Sequence, residues 1–122
     1  MKRFNNITYN DVKNTLDVGA GVIWKDVYSY LRDRPQAVGV VGGDPDVGVS
    51  GWLLGGGYSL LTNMFGLGSD NILGFRAVVP SKGICNINAD ENHEIFMALK
   101  VRSLYHGTSG SLYSFDWEGR RA

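Results

Sequence analysis

The chain has 122 residues, of which 43% are hydrophobic, and its twelve basic residues balance its twelve acidic ones. This length accommodates one domain. The zero net charge argues against a nucleic-acid or anionic-membrane surface, because either requires an excess of positive charge. The single cysteine, Cys85, cannot form an internal disulfide and is predicted to be a small buried residue in a strand.

Two further absences concern cellular location. No apolar run approaches the roughly eighteen residues of a membrane span. The first six residues lack the apolar segment of a signal peptide, so none is expected in this sequence and the compartment stays unknown.

Apolar periodicity predicts alternating strands and helices along most of the chain. The first predicted features are a hairpin of strands at 4–9 and 15–22 that turns at Asn10 and Asp11, a helix face from Ile23 to Leu31 that is ended by Pro35, and a short buried strand at 38–41. They are followed by near-helical spacing from Leu53 to Phe65, a hairpin of strands at 75–79 and 84–87, and a helix at 92–100 that is capped by Asp90. Trp24 is predicted to lie in the core. After Lys100 no period is recognised, so no regular element is predicted for residues 101–122.

Glycine is concentrated in one segment, since ten of the seventeen glycines fall between Gly42 and Gly74. Residues 55–57 are three consecutive glycines inside an apolar helical pattern, where each costs about 1 kcal/mol relative to alanine. Two explanations are open: close packing of the helix on a neighbouring strand, or a ligand that lies flat against the backbone. For Trp52, a core position and a ligand-facing position are equally open.

The preceding segment, residues 42–51, is a glycine-rich loop that leads into a predicted helix. Free backbone N–H groups and the helix dipole favour an anionic or electron-rich group there, such as a pyrophosphate or the polar edge of a flavin ring. Neither the P-loop pattern nor G-x-G-x-x-G is present. His93 and His106 are predicted to be surface residues and form no metal set. Asp70 and Asn71 are predicted to bond the backbone of a glycine turn.

Three segments in combination resemble a known family. Residues 18–28 (VGAGVIWKDVY), residues 47–71 (VGVSGWLLGGGYSLLTNMFGLGSDN) and the hairpin and helix of residues 75–100 are similar to the berberine-bridge-enzyme-like branch of the FAD-linked oxidases, which are of the vanillyl-alcohol-oxidase/para-cresol-methylhydroxylase type. The resemblance implies the second half of that family's FAD-binding domain, an α+β fold with helices packed on an antiparallel or mixed sheet. Residues 1–100 would form this partial domain, and residues 101–122 an atypical, poorly specified tail.

The resemblance also implies FAD as cofactor and a set of residues that border its flavin ring or pyrophosphate. These are Gly43, Asp44, Val47, Gly48, Gly51, Trp52, Gly56, Gly57 and Tyr58. In some family members a cysteine at the position of Asp44 is bonded to the flavin, and aspartate cannot form that thioether. The half-domain that tethers the flavin and the domain that supplies the catalytic base are expected to lie outside this sequence. No catalytic residue is therefore named, and no turnover is expected from this chain alone.

Two functions stay open at this point. The first is the FAD-binding portion of a flavin-dependent oxidoreductase whose full-length parent oxidises an alcohol, sugar or alkaloid-like small molecule and passes the electrons to oxygen. The alternative is a non-catalytic or unstable piece that acts, if at all, as a protein-interaction module, because missing neighbours would leave apolar surface exposed. Neither function includes a nucleic-acid or membrane partner.

Overall fold

The structure, a computed structural model, describes residues 3–34, 42–101 and 112–118. Its elements in chain order are β1 (Ile7–Asn10), β2 (Thr15–Gly19), α1 (Trp24–Arg32), α2 (Val49–Leu54), α3 (Thr62–Phe65), a 3-10 helix (Gly68–Asn71), β3 (Ile72–Val79), β4 (Gly83–Asn88), α4 (His93–Val101) and β5 (Leu112–Glu118). The predicted α+β class is confirmed. Pro35, the strand expected at 38–41 and His106 lie outside the described residues.

The strands form one antiparallel sheet in the order β1-β2-β5-β3-β4. Both predicted hairpins are confirmed: β1 pairs with β2, and β3 pairs with β4. Each hairpin joins strands that are neighbours in the sequence, so the local alternation of apolar residues was sufficient to find them. Strand β5 lies between the two hairpins and pairs with β2 and with β3.

Strand β5 corrects the expectation that no regular element follows Lys100. Its Asp116 pairs with Asp17 of β2 on one side and with Gly74 of β3 on the other. Phe115 and Trp117 alternate with polar residues in the sequence, which is a strand signal in itself. That signal is short and isolated, and for this reason it was overlooked. The division of the chain at residue 100 into a partial domain and a tail stays a prediction.

Helices cover one face of the sheet and close the hydrophobic core. The buried apolar side chains are Leu16, Val18, Ala20, Val22, Trp24, Val27, Val49, Leu53, Ile72, Phe75, Ala77, Ile87, Phe96 and Leu99. Trp24 is only 1% exposed, so its predicted core position is confirmed. Phe75 of β3 meets Phe96 of α4 edge-on, with ring centroids 6.1 Å apart. Cys85 lies in β4 as predicted and is half-buried against this core.

The turn before helix α4 differs from its prediction, because Asp90 does not cap the helix. The side-chain oxygen of Asn88 accepts the backbone N–H groups of Asp90 and Glu91, each at 2.8 Å. Asn92 then adopts a positive φ of 53°, and the helix begins at His93. Asn88 therefore closes this turn, and Asp90 contributes its main chain to it instead of a capping carboxylate.

Candidate functional site

The three consecutive glycines end helix α2 and do not lie in a helix interior. Gly55 follows the last helical residue, and Gly56 and Gly57 have φ of 100° and 75°. Because side chains disfavour this left-handed region, these two positions suit glycine on backbone grounds alone. The continuous helical spacing expected from Leu53 to Phe65 is therefore wrong, and a non-helical stretch at 55–61 separates α2 from α3.

Trp52 lies in a slot that three glycines form around its indole ring. A Cβ added to Gly43 would stand 2.6 Å from Cδ1 of the ring. A Cβ on Gly57 would stand 2.8 Å from Cζ3, and one on Gly68 would stand 2.4 Å from the same atom. The indole N–H donates a 3.0 Å hydrogen bond to the main-chain oxygen of Tyr58. Of the three consecutive glycines, only Gly57 is therefore tightly packed, and it packs on the Trp52 ring and on Gly68 instead of on a strand.

Other glycines of the segment face open space. A Cβ built on Gly48, Gly51 or Gly56 would meet no atom within 4 Å. Gly48 directly precedes α2 and Gly51 lies three residues later, so both are on the same face of the helix. At Gly48 and Gly51 neither packing within the described residues nor backbone conformation requires glycine. We call Gly48, Gly51 and Gly56, of which Gly51 is exposed and the other two are half-buried, the open glycine strip.

The loop at residues 42–48 is held against the start of α1 by main-chain hydrogen bonds. The N–H of Trp24 donates to the oxygen of Val47 at 3.0 Å, and the N–H of Lys25 donates to the oxygen of Pro45 at 2.9 Å. The glycine-rich loop is therefore attached to the element that carries the most buried tryptophan of the core. This arrangement fixes where the loop stands relative to the sheet.

A side chain adds a further attachment to the same loop. The phenol of Tyr28 donates a 2.7 Å hydrogen bond to the main-chain oxygen of Gly43. Burial raises the pKa of Tyr28 above its usual range, the nearby Asp44 carboxylate raises it further, and a backbone hydrogen bond opposes both effects. The phenol thus remains protonated near neutral pH and available as a donor. The sequence placed Tyr28 in the predicted helix face and in the family-like segment 18–28, but it was not named as a site residue.

The remaining predicted site residues stand at the surface beside the open glycine strip. Val47 is 40% exposed and Tyr58 is 71% exposed. Asp44 is exposed as well, and its side-chain oxygen accepts the N–H of Asp46 at 3.0 Å. Asp44 therefore shapes the turn of its own loop. The structure thus places all nine predicted residues in two segments, 43–52 and 56–58.

Asp70 and Asn71 lie in the 3-10 helix, and their predicted role in bonding the backbone of a glycine turn is confirmed. The side-chain amide of Asn71 donates to the oxygens of Phe65 at 3.0 Å and Leu67 at 2.9 Å. Asp70 accepts the N–H of Leu67 at 2.9 Å. Gly68 lies in the same helix. It was not named as a site residue from the sequence, although it belongs to the glycine-rich segment from Gly42 to Gly74.

The described ranges contain neither a candidate metal cluster nor a helix that could span a membrane. Within residues 3–34, 42–101 and 112–118, no three His, Cys, Asp or Glu side chains are grouped so as to hold a metal ion. None of the helices in the same ranges combines the length and the apolar character needed to cross a bilayer. His93, at the start of α4, is exposed as predicted.

The family follows from comparison with known proteins. The family model described as FAD binding domain matches residues 1–87. The chain belongs to this family. FAD-dependent monooxygenase prx3 of Penicillium roqueforti is 38% identical over 104 residues, covering 84% of this chain and 20% of that protein. FAD-dependent monooxygenase yanF of Aspergillus niger is 38% identical over 100 residues, covering 82% of this chain and 17% of that protein. The chain spans a fifth or less of the length of these curated relatives.

Solved structures confirm the fold and the predicted resemblance. BBE-like 1 of Physcomitrella patens superposes with a TM-score of 0.85 and 28% identity, covering 99% of this chain and 26% of that one. For 6-hydroxy-D-nicotine oxidase of Arthrobacter nicotinovorans the TM-score is 0.83 with 28% identity, covering 97% and 25%. The family is one of FAD-dependent oxidoreductases, and FAD is its cofactor.

Proposed function

We propose that this chain supplies one wall of the FAD site of a flavin-dependent oxidoreductase. The observation that carries the proposal is the open glycine strip, whose three members lie within the residues matched by the family model. A broad planar cofactor needs to approach main chain closely, and glycine is the residue that permits it. Within the part of the chain that the structure describes, neither packing nor backbone conformation gives Gly48 and Gly51 another reason to be glycine.

The nine residues divide into a surface and its support. The proposed surface consists of Asp44, Val47, Gly48, Gly51, Gly56 and Tyr58, and the support consists of Gly43, Trp52 and Gly57, which pack on one another. The N–H of Val49 at the start of α2 already donates to the oxygen of Val22 at 3.0 Å, so the amides that could serve carbonyl or phosphate oxygens of FAD would be those of Ser50 and Gly51. When bound, FAD supplies the redox chemistry, and the chain's own residues bind and orient it. The small-molecule substrate of the whole protein is an alcohol, sugar or alkaloid-like compound in this proposal.

The test is a visible absorbance spectrum of the purified chain after incubation with FAD and removal of free FAD by desalting. We expect a retained flavin band that is shifted from that of free FAD. The variant Gly51→Leu places an aliphatic side chain on the open glycine strip without displacing any described atom near the backbone. It is expected to lose the flavin band while keeping the circular dichroism spectrum of the native chain.

The matched control is Ser29→Leu, which adds the same side chain at an exposed position of helix α1. This control should retain flavin as the unmodified chain does. A flavin-free native chain would contradict the proposal. Equal flavin retention by Gly51→Leu and Ser29→Leu would contradict the assignment of the open glycine strip.

A second candidate function, a protein-interaction module, is favoured by three exposed apolar side chains within residues 58–64. Tyr58 is 71% exposed, Leu60 is 94% exposed and Met64 is 67% exposed. Such a cluster promotes association. Size-exclusion chromatography and binding of an apolar dye test it, with Leu60→Ser and Met64→Ser expected to reduce both signals. A native monomer that melts cooperatively and binds no dye would exclude this candidate.

A further inference from the structure

Trp52 contacts several separate chain segments of the proposed site and its surroundings. Gly43, in the loop at 42–48, lies against the five-membered ring. Gly57 and Gly68 lie against the six-membered ring and come from two different turns. Trp24 of α1 meets the indole edge-on, with ring centroids 5.0 Å apart. One side chain therefore joins four segments that the backbone alone leaves separate.

The same contacts determine which kind of role Trp52 can have. Its two rings are occupied by glycines of the protein, and its N–H donates to the oxygen of Tyr58. The ring contacts Gly43 of the loop and Gly57 of the turn, which are the two segments that flank α2 in the proposed site. These interactions therefore provide support of the flanking main chain and not direct contact with a cofactor.

We infer that Trp52 is a positioning residue, which holds the loop at 42–48 and the turn at 55–58 at the separation that FAD requires. This inference rests on the proposed function and assigns Trp52 a role behind the cofactor instead of beside it. Its contacts join Gly43 in the loop to Gly57 and Tyr58 in the turn. One side chain therefore contacts both the loop and the turn, which carry Gly48 and Gly56 of the open glycine strip.

The physical reason is conformational entropy. Glycine loses more backbone freedom on ordering than any other residue, so a binding surface made of glycine is costly to organise at the moment of binding. A ring that is already packed against both segments orders them before the ligand arrives, and preorganisation of this kind increases affinity. Trp52 can do this because its indole is rigid and large enough to reach all of these segments.

The experiment uses the complete chain and compares Trp52→Phe with the double variant Trp52→Phe/Gly68→Ala. The smaller phenyl ring leaves part of the slot empty. The methyl group that Gly68→Ala introduces would then occupy space next to the missing ring atoms, since in the native chain a Cβ at this position would overlap Cζ3 and Cη2 of Trp52. The same Cβ would stand 2.9 Å from Cδ2 of Leu53, whose side chain has to shift, and for this reason only partial recovery is expected. Gly68 is suited to this purpose because its φ is not in the left-handed region, unlike that of Gly57.

Two measurements are made at a temperature where circular dichroism shows each variant to be folded. The first is FAD titration, in which we expect the Kd of Trp52→Phe to rise about ten-fold and the double variant to recover part of this loss. The flavin band at saturation should equal that of the native chain, because Trp52 does not touch the cofactor. The second is amide hydrogen exchange without FAD, followed at Val47 and Gly68, whose N–H groups bond to Asp44 and Gly57.

In Trp52→Phe these two amides should exchange faster, while the amides of the β3–β4 hairpin keep their native rates. An unchanged Kd in a folded Trp52→Phe would overturn the inference and leave the proposed function standing. An altered flavin band at saturation would show direct contact and overturn it as well. If the native chain binds no FAD, the proposed function fails first, and any change in exchange then identifies Trp52 as a purely structural residue.

Discussion

The phenol of Tyr28 and the main-chain oxygen of Gly43 form a 2.7 Å hydrogen bond that joins helix α1 to the glycine-rich loop. The variant Tyr28→Phe removes the donor and leaves the carbonyl without it. We expect the free energy of unfolding to fall by about 0.5–1.5 kcal/mol in urea titrations at neutral pH. Tyr58→Phe is the control, because Tyr58 is 71% exposed, and it should change stability by less than about 0.5 kcal/mol.

The same phenol predicts a pH dependence of stability in the alkaline range. Burial and then Asp44 raise the pKa of Tyr28 above its ordinary value of 10.0, so the unfolded chain loses this proton at lower pH than the folded chain does. The contribution of Tyr28 is complete below that ordinary pKa and is lost as the pH rises through the folded pKa. Urea titrations between about pH 9 and about pH 11 should show falling stability, with a smaller slope in Tyr28→Phe. Equal slopes in the two proteins would contradict the assignment.

The glycines of the site should respond in opposite directions to the same substitution. Gly57→Ala places a Cβ 2.8 Å from the Cα of Gly68 at a φ of 75°, so we expect a loss of about 2–4 kcal/mol. Gly51→Ala adds a methyl group in open space inside α2, so we expect a gain of about 0.5–1 kcal/mol. Thermal unfolding of both variants is the measurement. A loss of similar size at both positions would show that Gly51 is also held by packing.

The buried amide of Asn71 stabilises the turn between α3 and β3. Asn71→Ala leaves the oxygens of Phe65 and Leu67 without this donor and should cost about 1–3 kcal/mol in urea titrations. Asn71→Asp preserves the shape but removes the donor at neutral pH, so it should cost at least as much. Asp70→Ala, at an exposed position, should cost less than either variant. A native-like Asn71→Asp would show that shape and not hydrogen bonding is what the turn requires.

Strand β5 should be necessary for the sheet as a whole. Asp116→Pro removes a main-chain donor from a strand that is paired on both sides, and should cost about 2–4 kcal/mol. Asp116→Asn keeps that donor and serves as the control in the same denaturant titrations. If Asp116→Pro unfolds at the same denaturant concentration as Asp116→Asn, the two-sided pairing of β5 is not required for stability.

Sequence reasoning succeeded where the determining interactions are local. The helical face from Ile23 to Leu31 became α1, and the two hairpins followed from alternation within short segments. The order of strands depends on pairing between distant residues, which periodicity does not report. For that reason β5 was missed, together with its position between β2 and β3.

The glycine-rich segment shows a similar limit. Composition predicted that something required these glycines, and the family resemblance named nine site residues. Only the position of the Trp52 ring separates glycines that pack, such as Gly43 and Gly57, from glycines with open space above them, such as Gly51. Tyr28 lies outside the segment, and its contact with Gly43 depends on how α1 folds back against the loop.

The position of β5 has a consequence for how the chain acquires its shape during synthesis. Both hairpins precede β5 in the sequence, so they leave the ribosome before the strand that joins them in the sheet. Until residues 112–118 have emerged, β2 and β3 each present an unpaired edge to the crowded surroundings of the exit tunnel, and unpaired edges invite association with other chains. This order makes the emergence of β5 the step at which the two hairpins become a single sheet.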